Sequence, residues 1–181
     1  MAHDDIARLT MPVGARDHVQ GPADARVTLV EYGDYECPHC GRAYPIVKDV
    51  QRRLGSKMRF VFRNFPLSES HPHAQHAAEA AEGTAAGGRF WEMHDTLFEH
   101  QEALDDIHLV RYAAKLGLDA KTFEQELHAH KHKARVREDF MSGVRSGVNG
   151  TPTFYINGER HDDSYELQTL LSAIERAAAR G

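Results

Sequence analysis

Val27-Thr28-Leu29-Val30-Glu31-Tyr32-Gly33-Asp34-Tyr35-Glu36-Cys37-Pro38-His39-Cys40 is the stretch on which the fold turns. Its first six residues are β-branched and almost continuously apolar, the pattern of a central strand covered on both faces. Gly33 and Asp34 break that run. Pro38 then falls at a first helical position, where its missing N–H costs nothing and its fixed φ is already helical. Both cysteines of the chain lie in this one turn, Cys37 at the cap and Cys40 one turn inside. A dithiol so placed closes a small disulfide, and the N–H groups of the helix start favour the anion of the first sulfur. Cys37 is therefore the expected nucleophile, Cys40 the thiol that resolves a mixed disulfide, and His39 a donor or positive charge beside Cys37.

Outward from the motif, the pattern stays readable in both directions. Residues 1–20 form a polar lead with one short edge strand expected near Thr10 to Val13, and Gly21, Pro22 and Asp24 make a turn. After the motif, Pro45 is expected to kink the helix, Ile46, Val47 and Val50 form its apolar stripe, and Gly55 stops it. Met58 to Phe65 reads as a second strand, with Phe60 and Phe62 on one face and Arg59, Val61 and Arg63 on the other. From Leu67 to Val148 the periodicity is helical. The expected stripes are Phe90, Met93 and Leu97, with Trp91 as a packing neighbour; Ile107, Val110 and Ala114 behind an Asp105 cap; Phe123 and Leu127; and Val136, Phe140 and Val144. Strand character returns at Thr153 to Ile156. Asn157-Gly158 then signals a hairpin with a partner near Glu159 to His161, and Leu167, Leu170, Leu171, Ile174 and Ala178 mark a closing helix. The order implies an α/β domain with a mixed central sheet, residues 1–66 and 149–181, interrupted by an all-helical insert at 67–148.

Composition excludes several classes of function. The net charge of −5 leaves no basic footprint for nucleic acid. Lys131, Lys133, Arg135 and Arg137 read as the solvated face of a helix. No apolar run approaches the roughly 18 residues of a membrane span. Met1 to Thr10 lacks the apolar centre of a secretory signal, which points to a cytoplasmic protein or to an extracytoplasmic, periplasmic form whose leader has been removed.

Three further groups carry possible chemistry. Glu31 is an acid inside an apolar strand, and a buried carboxylate there would take and return the proton of Cys40; the alternative is a solvated acid paired with Arg59 or Arg63. Thr151-Pro152, just before a strand, is a candidate cis bond whose backbone would pair with an extended peptide. Thirteen histidines include His71, His73 and His76, two of them at metal-ligand spacing. His128, His130 and His132 alternate along an expected helix and read as surface. Zinc needs about four ligands and no second Cys pair exists, so neither a metal nor another cofactor is expected.

The run Leu29 to Gly41 with its Cys-Pro-His-Cys, Phe90-Trp91-Glu92-Met93-His94, and Gly150-Thr151-Pro152-Thr153-Phe154 together resemble the thioredoxin superfamily, and within it the DsbA-like thiol-disulfide oxidoreductases, over nearly all of residues 20–178. The resemblance implies a thioredoxin fold with a helical insert and a groove that takes unfolded or peptide thiol substrates. It makes Cys37 the attacking cysteine, Cys40 the resolving one, Glu31 the buried acid and Pro152 the cis-proline facing the disulfide. Thr151 stands where strongly oxidising members carry an aliphatic residue. The implied activity is disulfide exchange with protein or peptide thiols, as oxidase or isomerase rather than reductase, with a redox partner that the sequence does not name. Two rival readings are a chaperone-like binding module that holds peptides without catalysis, and a metal-binding protein using Cys37, Cys40 and the His71 to His76 cluster.

Overall fold

A computed structural model of the chain describes residues 6–181. By its contacts the described chain divides into two compact units, a sheet unit of residues 6–32, 42–63 and 142–181, and a helical unit of residues 33–41 and 64–141.

The sheet unit is built on five strands, β1 (His18–Gln20), β2 (Val27–Gly33), β3 (Met58–Asn64), β4 (Thr153–Ile156) and β5 (Glu159–His161), in the order β1-β3-β2-β4-β5. The sheet is mixed, with β1/β3, β2/β4 and β4/β5 antiparallel. β2 is central and buried at every position but Thr28, as its unbroken apolar run requires. Asn157 and Gly158 both take left-handed backbone, φ 49° and 84°, and so close the β4–β5 hairpin with the twist that flanking strands need. α7 (Leu167–Arg180) buries Leu170, Leu171, Ile174 and Ala177 and lies against β4.

The expected edge strand at Thr10 to Val13 is absent. Pro12 has no N–H to give a ladder, and the Thr10 N–H instead donates to Ser146 Oγ at 3.0 Å. The edge strand is β1, eight residues further on. Arg63, on β3, is not a surface cation. Its side chain is 1% exposed, and its guanidinium donates to both Asp17 carboxylate oxygens (2.9 and 3.0 Å) and to Tyr32 Oη (2.9 Å).

The helical unit holds α2 (Ala74–Ala85), α3 (Phe90–Glu99), α4 (Asp106–Lys115) and α5 (Ala120–His128), with most of α6 (Lys133–Arg145). α2 is alanine-rich and buried along nearly its whole length, so it serves as the axis on which α3, α4 and α5 pack. Gly83 lets α5 approach closely, because a Cβ there would stand 2.9 Å from the Phe123 ring. Two stripes differ from expectation. α4 turns Leu109, Tyr112 and Ala113 inward and leaves Ile107 67% exposed, a spacing as helical as the one expected but rotated. α6 buries Val136 with Asp139, Ser142 and Ser146 beyond its end, while Val144 is 46% exposed; its inward face is partly polar and escapes an apolar count. Arg135, expected in solvent, pairs with Glu82 and Asp139.

α1 (Pro38–Leu54) begins at the motif and runs unbroken through Pro45.

Candidate active site

Local rules place the motif. The Cys37 carbonyl accepts the Gly41 N–H at 3.0 Å, the first bond of α1, so Cys37 is the cap and Pro38 the first helical residue. Cys37 is 3% exposed and Cys40 fully buried, whereas Pro38 and His39 face outward. The Asp34 backbone N–H donates to Cys40 Sγ at 3.5 Å.

Three side chains that the sequence does not mark hold this turn within the helical unit. The Asp34 carboxylate is wholly buried and accepts from the Glu36 N–H (2.8 Å), the Leu67 N–H (2.9 Å) and His71 Nδ1 (2.8 Å). Glu36 in turn accepts the His73 N–H at 2.9 Å, so the approach to the motif is tied to residues 67–73. From the other side Gln101 Nε2 donates to the carbonyls of Tyr35 (2.8 Å) and Cys37 (2.9 Å). Its amide occupies the space where a side chain at position 41 would stand: a Cβ on Gly41 would collide with Gln101 Oε1. Beneath, Tyr35 Oη bonds His94 Nδ1 at 3.0 Å and its ring packs on Phe98, while Trp91 stacks edge-on against His94.

His71 is the electrostatic partner of the site. Partial burial pushes its imidazolium down, but the Asp34 carboxylate at Nδ1, and then Cys37 and Glu36, outweigh that and hold its pKa above the ordinary value of 6.5. Sequence spacing grouped His71 with His73 and His76 as possible metal ligands. The structure separates them: His71 turns to Asp34, and His76 to Asp106 at 2.6 Å.

Glu31, Thr151 and Pro152 belong to the sheet unit, the four motif residues to the helical unit. Glu31 is 2% exposed and stands opposite Phe154 in the β2–β4 ladder. It is not a solvated acid, and the two arginines considered for it are engaged elsewhere, Arg59 with Thr28 Oγ1 at 2.7 Å and Arg63 with Asp17. The Thr151–Pro152 peptide bond is cis. Because Thr153 pairs with Tyr32, Pro152 leads into β4 at the end of the sheet where β2 leaves it.

Comparison with known proteins fits this arrangement. A relative from Salinispora tropica, the Na(+)/H(+) antiporter NhaA 3, is 45% identical over 179 residues, which is 98% of this chain and 27% of that protein; the chain spans about a quarter of the length of the curated relatives it matches. Oxidised BdbD from Bacillus subtilis superposes with a TM-score of 0.83 at 25% identity, covering 91% of this chain and 94% of that one. A thioredoxin-like oxidoreductase from Silicibacter pomeroyi superposes with a TM-score of 0.80 at 26% identity, covering 92% and 94%. The Thioredoxin family model matches residues 15–176, and the chain therefore belongs to the thioredoxin family, with the fold of its DsbA-type thiol-disulfide oxidoreductases.

Proposed function

We propose that the chain is a protein disulfide oxidoreductase that exchanges disulfides with protein or peptide thiols through Cys37 and Cys40, working as oxidase or isomerase in preference to reductase. The observation that carries this is the cap geometry: Cys37 at the head of α1, with Cys40 buried one turn inside, on a thioredoxin-family fold. The structural neighbours named as oxidoreductases support the same class.

In the oxidase direction a substrate thiolate attacks Cys37 Sγ of the disulfide form, and the sulfur–sulfur bond breaks to release Cys40 as the thiolate. A second substrate thiolate then attacks the substrate sulfur of the mixed disulfide and releases Cys37. Two electrons pass from substrate to protein, and both of the chain's sulfurs end reduced. The helix N-terminus, His39 and the His71 imidazolium all favour the anion of Cys37, and stabilising that form makes the disulfide the stronger oxidant. Glu31 as the acid that handles the Cys40 proton, and Thr151-Pro152 as the backbone that seats an extended substrate, complete the proposal, as does the division into a thioredoxin-like domain (1–66, 149–181) and a helical insert (67–148).

The ion transport in the relatives' name is not carried over. The chain spans about a quarter of those proteins, and among the described residues no helix is long and apolar enough to cross a membrane. We place the reaction outside the cytoplasm, where the DsbA-like branch works.

Replacing Cys37 with Ser is expected to abolish both oxidation of a model dithiol peptide and reduction of insulin. Wild-type turnover in that variant would rule the proposal out. Equilibration of the Cys37–Cys40 pair with glutathione buffers decides direction, an oxidant lying well above the glutathione couple.

A further inference from the structure

A second cluster of chemically capable side chains lies in the helical unit, apart from the dithiol. His76 and Glu79 stand one turn apart on α2, and His130 arrives from the turn after α5. One ligand atom from each lies within 4.8 Å of the other two. We propose that these three residues form a binding site for one divalent transition-metal ion of the zinc class. Two imidazoles and one carboxylate, with a coordination position left to water, are a donor set that suits zinc.

Two independent features point to a ligand. The first is the backbone at His130. Among the described residues three helices end in the same bonding pattern, in which a glycine just past the helix takes left-handed backbone and two N–H groups reach back to the last turn: α2 at Gly88, α4 at Gly117 and α6 at Gly147. α5 ends the same way, with the His130 N–H on the Leu127 carbonyl and the Lys131 N–H on the Glu126 carbonyl, yet the left-handed position, φ 53°, carries a histidine. A side chain is thus kept where glycine is the ordinary choice, and its Nδ1 faces the Glu79 oxygens at 3.1 and 3.2 Å. This left-handed turn is also why His128, His130 and His132 do not share a helix: α5 ends at His128.

The second feature is the charge balance. The Glu79 side chain is 1% exposed, and its partners are the Gln75 amide and His130, with no Lys or Arg paired to it among the described residues. A buried carboxylate is stabilised by a counter-charge or a metal. The surrounding carboxylate is also arranged for ligation. Asp106 Oδ1 engages His76 Nδ1 at 2.6 Å, which fixes the ring and leaves Nε2 for an ion, the carboxylate–histidine–metal relay that orients ligating imidazoles elsewhere. The opposite Asp106 oxygen approaches His128 at 3.6 Å. An ion here would clip α2 to a turn 51 residues further along the chain.

The test is calorimetric titration with Zn2+ of the full chain carrying Cys37→Ser and Cys40→Ser, so that the dithiol does not compete. One ion per chain is expected, and Co2+ in its place should give a visible band without thiolate-to-metal charge transfer. His76→Ala should weaken Zn2+ at least tenfold, and Asp106→Asn by about 10–100-fold. The deciding variant is His130→Gly, which suits the left-handed backbone and should keep the native fold, read from its circular dichroism, while losing Zn2+. His161→Ala, in the sheet unit, should leave the affinity unchanged. Absence of a saturable site, or Zn2+ affinity unaltered in both His76→Ala and His130→Gly, overturns the proposal.

Discussion

At the scale of single residues, the region around the motif is held by groups whose effects have opposite readouts. His71 has a folded pKa above 6.5, so its contribution to stability is fully present below that value and is lost as pH rises through the higher folded one. Thermal melts of the reduced chain and of His71→Ala from pH 5 to 9 should therefore differ most on the acid side and converge on the alkaline side. Because Cys37 is among the groups that raise it, the coupling is reciprocal. His71→Ala should make the disulfide less oxidising, by on the order of 30 mV, read from glutathione equilibria. Gly41 acts through space. An alanine there displaces the Gln101 amide from the Tyr35 and Cys37 carbonyls, a loss of about 1 kcal/mol per hydrogen bond in denaturant unfolding, with faster alkylation of Cys37. None of this is legible beforehand. The cap, the proline and the dithiol follow from adjacent residues, whereas Asp34, His71 and Gln101 meet only because chain segments tens of residues apart come together. Spacing alone offered His71 only as a possible metal ligand beside His73 and His76, and nothing in it pointed to the bond with Asp34.

At the scale of elements, periodicity marked α1, α3 to α7 and the strands β2 to β5; it named no stripe for the alanine-rich α2, and it failed where polar side chains do the packing. α6 is the clearest case: Asp139 and Ser142 on its inward face are invisible to an apolar stripe, and Val144, which completes that stripe on paper, points to water. Asp139 accepts from the Asn64 N–H and side chain, both at 3.0 Å, and burial pushes its carboxyl up in spite of Arg135 beside it. β3 carries the same lesson in the sheet unit. Arg63 and Asp17 are both buried and joined by two parallel bonds, so removing one partner strands the other charge. Asp17→Ala is expected to cost about 3–5 kcal/mol, measured by urea denaturation, far more than loss of the exposed Arg8–Glu159 pair.

At the scale of the whole chain, the order of strands and helices was readable because most boundaries have a local cause: Asp34 after β2, which runs one residue further than expected and includes Gly33, Gly55 after α1, and Pro152 before β4. The turn at Asn157-Gly158 has a further consequence, for chemical ageing. An asparagine before a glycine is prone to lose its amide through attack by the next backbone nitrogen, a route that needs a mobile side chain. Here the Asn157 Oδ1 accepts the Thr28 N–H at 2.8 Å and its own N–H donates to the Thr28 carbonyl at 3.0 Å, so the hairpin is pinned to the start of the central strand. The folded chain should deamidate at this position slowly and the unfolded chain quickly. Isoaspartate at residue 157, followed by peptide mapping during storage, should rise in step with the fraction unfolded and be accelerated by Asp17→Ala, making this one amide a cumulative record of how often the sheet has opened.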